Sequence, residues 1–491
     1  MWHNMCIMIP SSSKILLFDP PGKLYQRGED RCQADIEGSA AISLRAPNDL
    51  GYIAAIARQL GLDPVIRDYP AERLTEKNFL EDLSGLKPSV IIMSATSSTF
   101  REDMGYLIKA KAVDSGIITI AKGAFFYECP PEVLDKALAS SPCLDIAVSG
   151  EAESVISGLL GALIAGDTLE SVKGVIYFDP DSKKFKKNPP GQFIEDLDVL
   201  PFPARDLMKN DLYVRPDTGS PMATIVTSRG CPEECIYCLS PVISGKKLRA
   251  RSPKSIIDEV EECVRCYGIS DFFFMADTFT MNKPWVIDIC REILRRDLKI
   301  RWAANSRVKP LDVERLGWMK RAGCRLISLG IESGSPESLA KMKKNASKAD
   351  AVEAVRMVRE AGLKLYAYYM IGFPWEDRSY VSATLNFARE IAADFSEIHI
   401  AAPFRGTEQF KTLADYGLKL EDPYGYNYFS NPPIGTKYLS RRELICLRKK
   451  GMRQLYMNPA YVFRTLKSIK NFRELMNYLK YGFRLLKNLS Q

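Results

Sequence analysis

Histidine is nearly absent from this chain: two in 491 residues, His3 and His399. Zinc sites built from Cys and His have little to draw on. No apolar run approaches the roughly 18 residues of a spanning helix. The opening MWHNMCIMIPSSSK has no basic stretch before an apolar core, so no signal peptide is expected. The 12 Cys are sparse for so long a chain. Disulfide scaffolds belong to small secreted domains, so free or metal-bound thiols in a reducing cytoplasm are expected. With 46% hydrophobic and 26% charged residues, the bulk is neither disordered, collagen-like nor coiled coil. The length suggests two to four domains at roughly 100–200 residues each.

Net positive charge is confined to one end. Residues 441–491 hold thirteen Lys/Arg against two acids, Glu443 and Glu474. That is a net +11 within a chain of +8, leaving −3 for residues 1–440. A nucleic-acid-coating protein would spread its charge differently, so no nucleic-acid partner is expected.

The first part reads as alternating strands and helices. Lys14–Phe18, Pro64–Asp68, Ser89–Ser94, Ile117–Ala121 and Asp145–Ser149 are short continuous apolar runs. Helical spacing falls between them, as in Leu50–Leu60, Arg101–Val113 and Pro131–Ala139. Such alternation predicts an α/β, doubly wound parallel sheet over 14–165. Asp179–Gly191 (DPDSKKFKKNPPG) is charged and rich in Pro and Gly, so 166–210 is expected to be a linker. Over 211–420 six further βα units follow, with strands at Ala223–Ser228, Asp271–Met275, Ile300–Ala304, Arg325–Gly330, Leu365–Ile371 and Glu397–Ala401. They predict a partial (β/α)6 barrel with its chemistry on the loops after the strands. A basic helical region is expected over 421–491.

Residues 226–240 read VTSRGCPEECIYCLS. Cys231, Cys235 and Cys238 put three thiolates within eight residues, directly after a barrel strand. One soft metal centre can be held this way. No fourth Cys or His lies nearby to close a zinc site. Three ligands suit a four-iron cluster with one open iron. Cys263 and Cys266 also form C-x2-C, but within a helical stretch, and are expected to be ordinary helix residues.

RGCPEECIYC resembles the cluster loop of the radical S-adenosylmethionine (SAM) enzymes, and the resemblance covers roughly 220–410. It implies a 4Fe-4S cluster on Cys231, Cys235 and Cys238 whose open iron takes SAM. SAM is then cleaved reductively to a 5′-deoxyadenosyl radical, with electrons from a donor such as flavodoxin or ferredoxin. In such enzymes the cofactor does the radical chemistry while the protein orients it and excludes water. The same resemblance implies SAM contacts. Asp277 in FFFMADTFT stands where relatives often carry two acids, here with Ala276 before it. It would accept from the SAM ammonium. Asn305 and Arg307 in WAANSR, and Glu332 and Ser333 in SLGIESGS, follow the next strands. Gly372 in YMIGFPWED lies near the expected adenine position, and Tyr237 would pack on the adenine.

The first domain resembles the cobalamin-binding domain that precedes many radical SAM barrels. SATSSTF (94–100), AKGAFFYECPPEVL (121–134) and SGEAES (149–154) end its third to fifth strands. No GxGxxG follows the first strand, so a dinucleotide fingerprint is absent. The resemblance places Ser94, Thr96, Thr99, Gly123, Gly150 and Glu151 along a corrinoid. Lys122 stands where relatives have a further glycine, and 4–398 contain no His. Cobalamin, if it binds, has no histidine lower ligand. The alternative is a vestigial domain that only packs.

The family's commonest implied reaction is methylation of an unactivated carbon. Alternatives are a radical cyclisation, rearrangement or carbon–carbon bond formation, or a corrinoid- or iron–sulfur-binding sensor without turnover. The substrate is expected to be a small or lipid-like molecule. In the tail, Val462, Leu466, Ile469, Phe472, Leu475, Met476, Leu479, Phe483 and Leu486 recur at helical spacing. This stripe either caps the barrel or meets a membrane surface.

Overall fold

Short, buried apolar runs set the two large sheets among the described residues. The computed structural model describes residues 8–28, 31–35, 44–139, 141–420, 424, 431–469 and 471–490. The chain divides into two compact units. One comprises Met1–Gln33, Ala46–Leu212 and Val242–Ser244, and the other Ala34–Arg45, Tyr213–Pro241 and Gly245–Gln491.

In the first unit the elements run β1 (Lys14–Asp19), α1 (Asn48–Gln59), β2 (Asp63–Asp68), α2 (Glu76–Leu86), β3 (Val90–Ser94), α3 (Phe100–Val113), β4 (Ile118–Lys122), α4 (Pro131–Leu138), β5 (Ile146–Val148), α5 (Ala152–Ala165), β6 (Val175–Asp179) and β7 (Lys184–Lys187). The sheet order is β2-β1-β3-β4-β5-β6-β7. The first five strands pair in parallel, and β6 and β7 are antiparallel. Ile15 to Phe18 and Val90 to Met93 are completely buried, as a strand covered on both faces requires. Leu50, Ile53 and Ala57 of α1 and Ile156, Leu159 and Leu163 of α5 join one core. The strand order reverses between β1 and β3, and such switch points open a crevice beyond the strand ends.

The expected linker at 166–210 is corrected here. It contains β6 and β7, which extend the first sheet. The LPFPARDL stretch packs on α1: Ala204 N–H donates to Gly51 O at 3.0 Å, and Arg58 grips Asp206 at 2.9 and 2.6 Å. A Cβ on Gly51 would lie 2.2 Å from Met208 Cε and 2.9 Å from Pro203 Cβ, so only glycine allows this approach. The hairpin reads as linker because it is an edge, where exposed lysines guard unpaired backbone. Of its second strand only Phe185 is buried.

The second unit runs β8 (Met222–Val226), α6 (Pro253–Tyr267), β9 (Asp271–Met275), α7 (Lys283–Arg295), β10 (Arg301–Arg307), α8 (Val313–Arg321), β11 (Cys324–Glu332), α9 (Lys348–Glu360), β12 (Lys364–Ile371), α10 (Arg378–Ile391) and β13 (Phe395–Ile400). The six strands of its large sheet are all parallel and lie in sequence order, with β8 and β13 as the edges. One side of the sheet faces the helices. Trp302, Ala304, Ile327, Leu329, Leu365, Ala367, Ile398 and Ile400 share its core. Strand alternation therefore puts Asn305, Arg307, Glu332, Tyr368 and His399 on the opposite face. Cys263 belongs to the helix-side core and Cys266 is exposed.

Three helices follow: α11 (Arg441–Tyr456), α12 (Pro459–Ser468) and α13 (Phe472–Ser490). Part of the region expected over 421–491 lies outside the described residues, namely 421–423, 425–430, 470 and 491. Leu444, Leu447 and Met452 of α11 enter the second unit's core. Arg448, buried on the same helix, pairs with Glu397 at 3.0 Å.

Candidate functional site

The three cysteines follow β8 and lie between the two strands of a short antiparallel pair, Ser228–Arg229 with Arg249–Ala250. Gly230 (φ 89°) turns the chain into the loop, a left-handed conformation that glycine supplies at no steric cost. Cys231 N–H donates to Gly245 O at 3.1 Å and Ile236 N–H to Met342 O at 3.1 Å. Gln409 N–H in turn donates to Ile236 O at 2.9 Å. The loop is thus anchored on several neighbours by its own backbone. Cys231 and Cys235 are buried and Cys238 is half-buried. Ser240 N–H points at Cys238 Sγ, 3.4 Å away.

Asp277, at the end of β9, ties both ends of this loop. Its Oδ2 accepts from Gly230 N–H at 2.7 Å and its Oδ1 from the Ser240 hydroxyl. These partners flank Cys231 on one side and Cys238 on the other. Asn305 does similar work one strand along. Its side-chain amide donates to Ala276 O and accepts from Ala276 N–H at 3.4 Å. The backbone leading into Asp277 is held by that amide.

Arg307 reaches Cys235. Its Nη1 donates toward Sγ at 3.4 Å, and its Nη2 lies 3.1 Å from Glu233 Oε2 and 2.5 Å from Lys344 O. Burial works against its charge, but Cys235 and Glu233 hold its pKa above the ordinary value. Burial also pushes the Cys231 thiol up. Lys344, itself buried, pairs with Glu332 at 2.6 Å and donates to Tyr237 Oη at 3.4 Å. Glu332 sits at φ 67°, where the register of β11 against β12 shifts. Such a conformation costs about 1–3 kcal/mol in a non-glycine residue. The bulge and Lys344 together hold the carboxylate on the cluster-loop side. The Tyr237 ring meets Phe373 edge-on at 5.6 Å, and Phe373 stacks on Trp375 at 5.1 Å.

The structure therefore joins Cys235, Arg307, Glu332 and Tyr237 through Lys344, and joins Asp277 and Asn305 to the loop's base. Ser333 and Gly372 belong to another network, linked to each other through Ser335, Ser338 and Glu376. Ser333 is sealed against Thr384 at 3.0 Å and receives Ser335 N–H. Gly372 N–H donates to Glu376 at 2.7 Å, as does Phe373 N–H at 3.2 Å. Lys344, Ser240 and Glu376 were not singled out in the sequence. Lys344 sits in an unremarkable KMKKN stretch, whereas Glu376 lies within the YMIGFPWED string.

Among the described residues no three His, Cys, Asp or Glu side chains are gathered to ligate one metal ion. A four-iron cube imposes a different spacing, because each thiolate binds its own iron and the sulfurs stand apart. The donor set fits that group: three thiols on one pinned loop, with a guanidinium and a backbone N–H directed at the sulfurs.

In the first unit a crevice opens beyond β1 and β3, lined in part by Asp19, Ser94, Thr99 and Asp103. Ser94 Oγ donates to Asp49 at 3.1 Å, and Asp49 pairs with the buried Lys122 at 2.5 Å. Thr96 and Thr99 hydroxyls lie 3.2 Å apart, and Thr99 donates to Asp103 at 2.5 Å. Burial raises Asp103 well above the usual carboxylate range. Gly123 (φ 138°) presses on Ala95, whose carbonyl oxygen would lie 2.0 Å from an added Cβ. Gly150 precedes Glu151, which is buried and accepts from Ile194 N–H at 2.7 Å. These hydroxyl-rich strand ends lie at a switch point, the place where such sheets take their ligands.

Residues 225–388 match the radical SAM superfamily. The chain is 30% identical to an uncharacterized methyltransferase of Pyrococcus horikoshii, over 86% of this chain and 90% of that protein. It is 27% identical to the anaerobic magnesium-protoporphyrin IX monomethyl ester cyclase of Rubrivivax gelatinosus, over 89% and 79%. In fold it is similar to TsrM of Kitasatospora setae, a radical SAM methyltransferase solved with cobalamin and a 4Fe-4S cluster (TM-score 0.68, 17% identity, 98% of this chain and 99% of that one). It is also similar to the cobalamin-dependent radical enzyme OxsB (TM-score 0.71, 17% identity, 98% and 72%). The chain belongs to the radical SAM enzyme family and shares the two-part fold of its cobalamin-dependent members.

Proposed function

We propose that the protein is a cobalamin-dependent radical SAM methyltransferase acting on an unactivated carbon. The observation that carries this reading is the pinned three-thiol loop at the end of β8, in a chain that also has a doubly wound unit with a switch-point crevice. Cys231, Cys235 and Cys238 would hold the 4Fe-4S cluster. Asp277, Asn305, Arg307, Glu332, Ser333, Gly372 and Tyr237 would hold SAM, directly or by fixing the backbone that does. Ser94, Thr96, Thr99, Gly123, Gly150 and Glu151 would line the corrinoid, whose lower face would lack histidine. When bound, these groups supply a 5′-deoxyadenosyl radical for hydrogen abstraction and a methyl group for transfer.

The chain's own residues prepare the site for that chemistry. Arg307 keeps a buried positive charge beside Cys235 and donates toward its sulfur. Lys344 neutralises Glu332 and fixes it beside Tyr237. Phe373 and Trp375 shield the Tyr237 ring from water. Electrons would come from a small donor protein of the flavodoxin or ferredoxin type. A cyclase-type radical reaction is the second reading, favoured by the 27% identity to the magnesium-protoporphyrin ester cyclase.

Methyl-labelled SAM separates the two. The reduced holoenzyme is incubated with an anaerobic small-molecule extract of cells that carry its Cys235→Ala variant. Methyl transfer predicts a new labelled product beside 5′-deoxyadenosine. Formation of 5′-deoxyadenosine with all label left in methionine would overturn it in favour of the second reading.

A further inference from the structure

The last two helices hold on to the second unit with one side and leave the other bare. Arg464 of α12 donates to Ala393 O at 2.9 Å, and Tyr461 meets Tyr456 edge-on at 5.0 Å. Tyr478 of α13 accepts from Lys364 at 3.4 Å, and Leu485 packs on the core. The outward side is apolar. Phe472, Met476, Leu479 and Phe483 are exposed, the two phenylalanines at 75% and 76%. At about 100° per residue these four fall within roughly 60° of one another, a single narrow stripe. Val462, Phe463 and Leu466 form a matching exposed face on α12, with Phe463 at 71%.

Scattered surface hydrophobics need no explanation, but a stripe with three exposed phenylalanines on adjoining helices does. Its borders are basic. Lys480 and Lys487 are exposed and Arg484 is half-exposed, all along one flank of the α13 stripe, and Lys467 is exposed on α12. The only acids between 441 and 491 are Glu443 and Glu474. Among the described residues no helix is long and apolar enough to cross a membrane. The combination is that of a helix lying in a bilayer interface, with rings in the acyl boundary and cations among the headgroups.

We propose that α12 and α13 dock the protein onto an anionic lipid surface through the Phe463, Phe472 and Phe483 face, with Lys480, Arg484 and Lys487 contacting the headgroups. Anionic lipid fits better than a second copy of the chain, because two such faces would bring like charges together. The docking is independent of the reaction assigned to the cysteine site.

Vesicle flotation of the full chain tests this, with phosphatidylcholine vesicles carrying or lacking phosphatidylglycerol. The protein should float with the anionic vesicles, at least about tenfold more than with neutral ones, and salt should weaken the binding. Phe472→Ser with Phe483→Ser should abolish flotation, and Lys480→Glu with Lys487→Glu should remove the preference for anionic lipid. These side chains are exposed, so the variants should keep the parent's circular dichroism. A parent that stays with the unbound fraction, or variants that float as it does, would overturn the proposal. So would a dimer in light scattering that the phenylalanine variants dissolve.

Discussion

Asp277 shows how one carboxylate can organise a loop it does not belong to. Gly230 and Ser240 bracket the three cysteines, and each gives a hydrogen bond to a different oxygen of Asp277. Leaving a buried donor without its acceptor costs about 1–3 kcal/mol. Asp277→Ala should therefore lower the iron retained after anaerobic reconstitution. Asp277→Asn keeps an oxygen for Gly230 and can donate to the Ser240 hydroxyl, so its iron content should stay near the parent's. Equal iron loss in both variants would show that the charge matters and the clamp does not. SAM affinity of the Asn variant then reads the ammonium role separately. The cysteines were legible at this scale because their spacing is itself the signal. The Asp277 clamp was not, since nothing in FFFMADTFT says that the carboxylate faces Gly230. Lys344 was equally silent: a lysine in a charged stretch looks solvated until the fold buries it.

At the scale of elements, the end of β12 carries a buried acid. Glu376 accepts from Gly372 and Phe373 N–H and from Ser338 Oγ at 2.6 Å. Burial outweighs these bonds and raises its carboxyl from 4.5 to about 7. The folded state thus binds the proton more tightly than the unfolded chain. Between those two values the folded form holds more protons, so stability should fall as pH rises. The loss should approach about 3 kcal/mol above the upper value. Anaerobic denaturant unfolding at roughly pH 5 and pH 8 measures this difference. Glu376→Gln should flatten it, and an unchanged pH slope in that variant would refute the assignment. Most strands and helices were readable because their apolar runs are continuous and their stops are marked, as at Gly323 and Gly362. The hairpin Val175–Asp179 with Lys184–Lys187 was not, because a charged edge strand and a linker share the same composition.

For the whole molecule, one α/β unit carries the switch-point crevice and the other the three-thiol loop. The charge asymmetry of the sequence pointed to the tail but left open whether its apolar stripe was covered. Tyr461, Tyr478 and Leu485 take the side that packs on the second unit, which leaves the phenylalanines outward. The succession of strands and helices along the chain was legible; the sheet order and the pairing of Arg307 with Cys235 across 72 residues needed the fold. The central claim concerns what the thiols hold. Iron analysis and electron paramagnetic resonance of the reduced, oxygen-free protein test it most directly. About four irons per chain are expected, with a cubane signal that shifts when SAM is added and disappears in Cys235→Ala. A single zinc in their place, or an iron signal indifferent to SAM, would contradict the account.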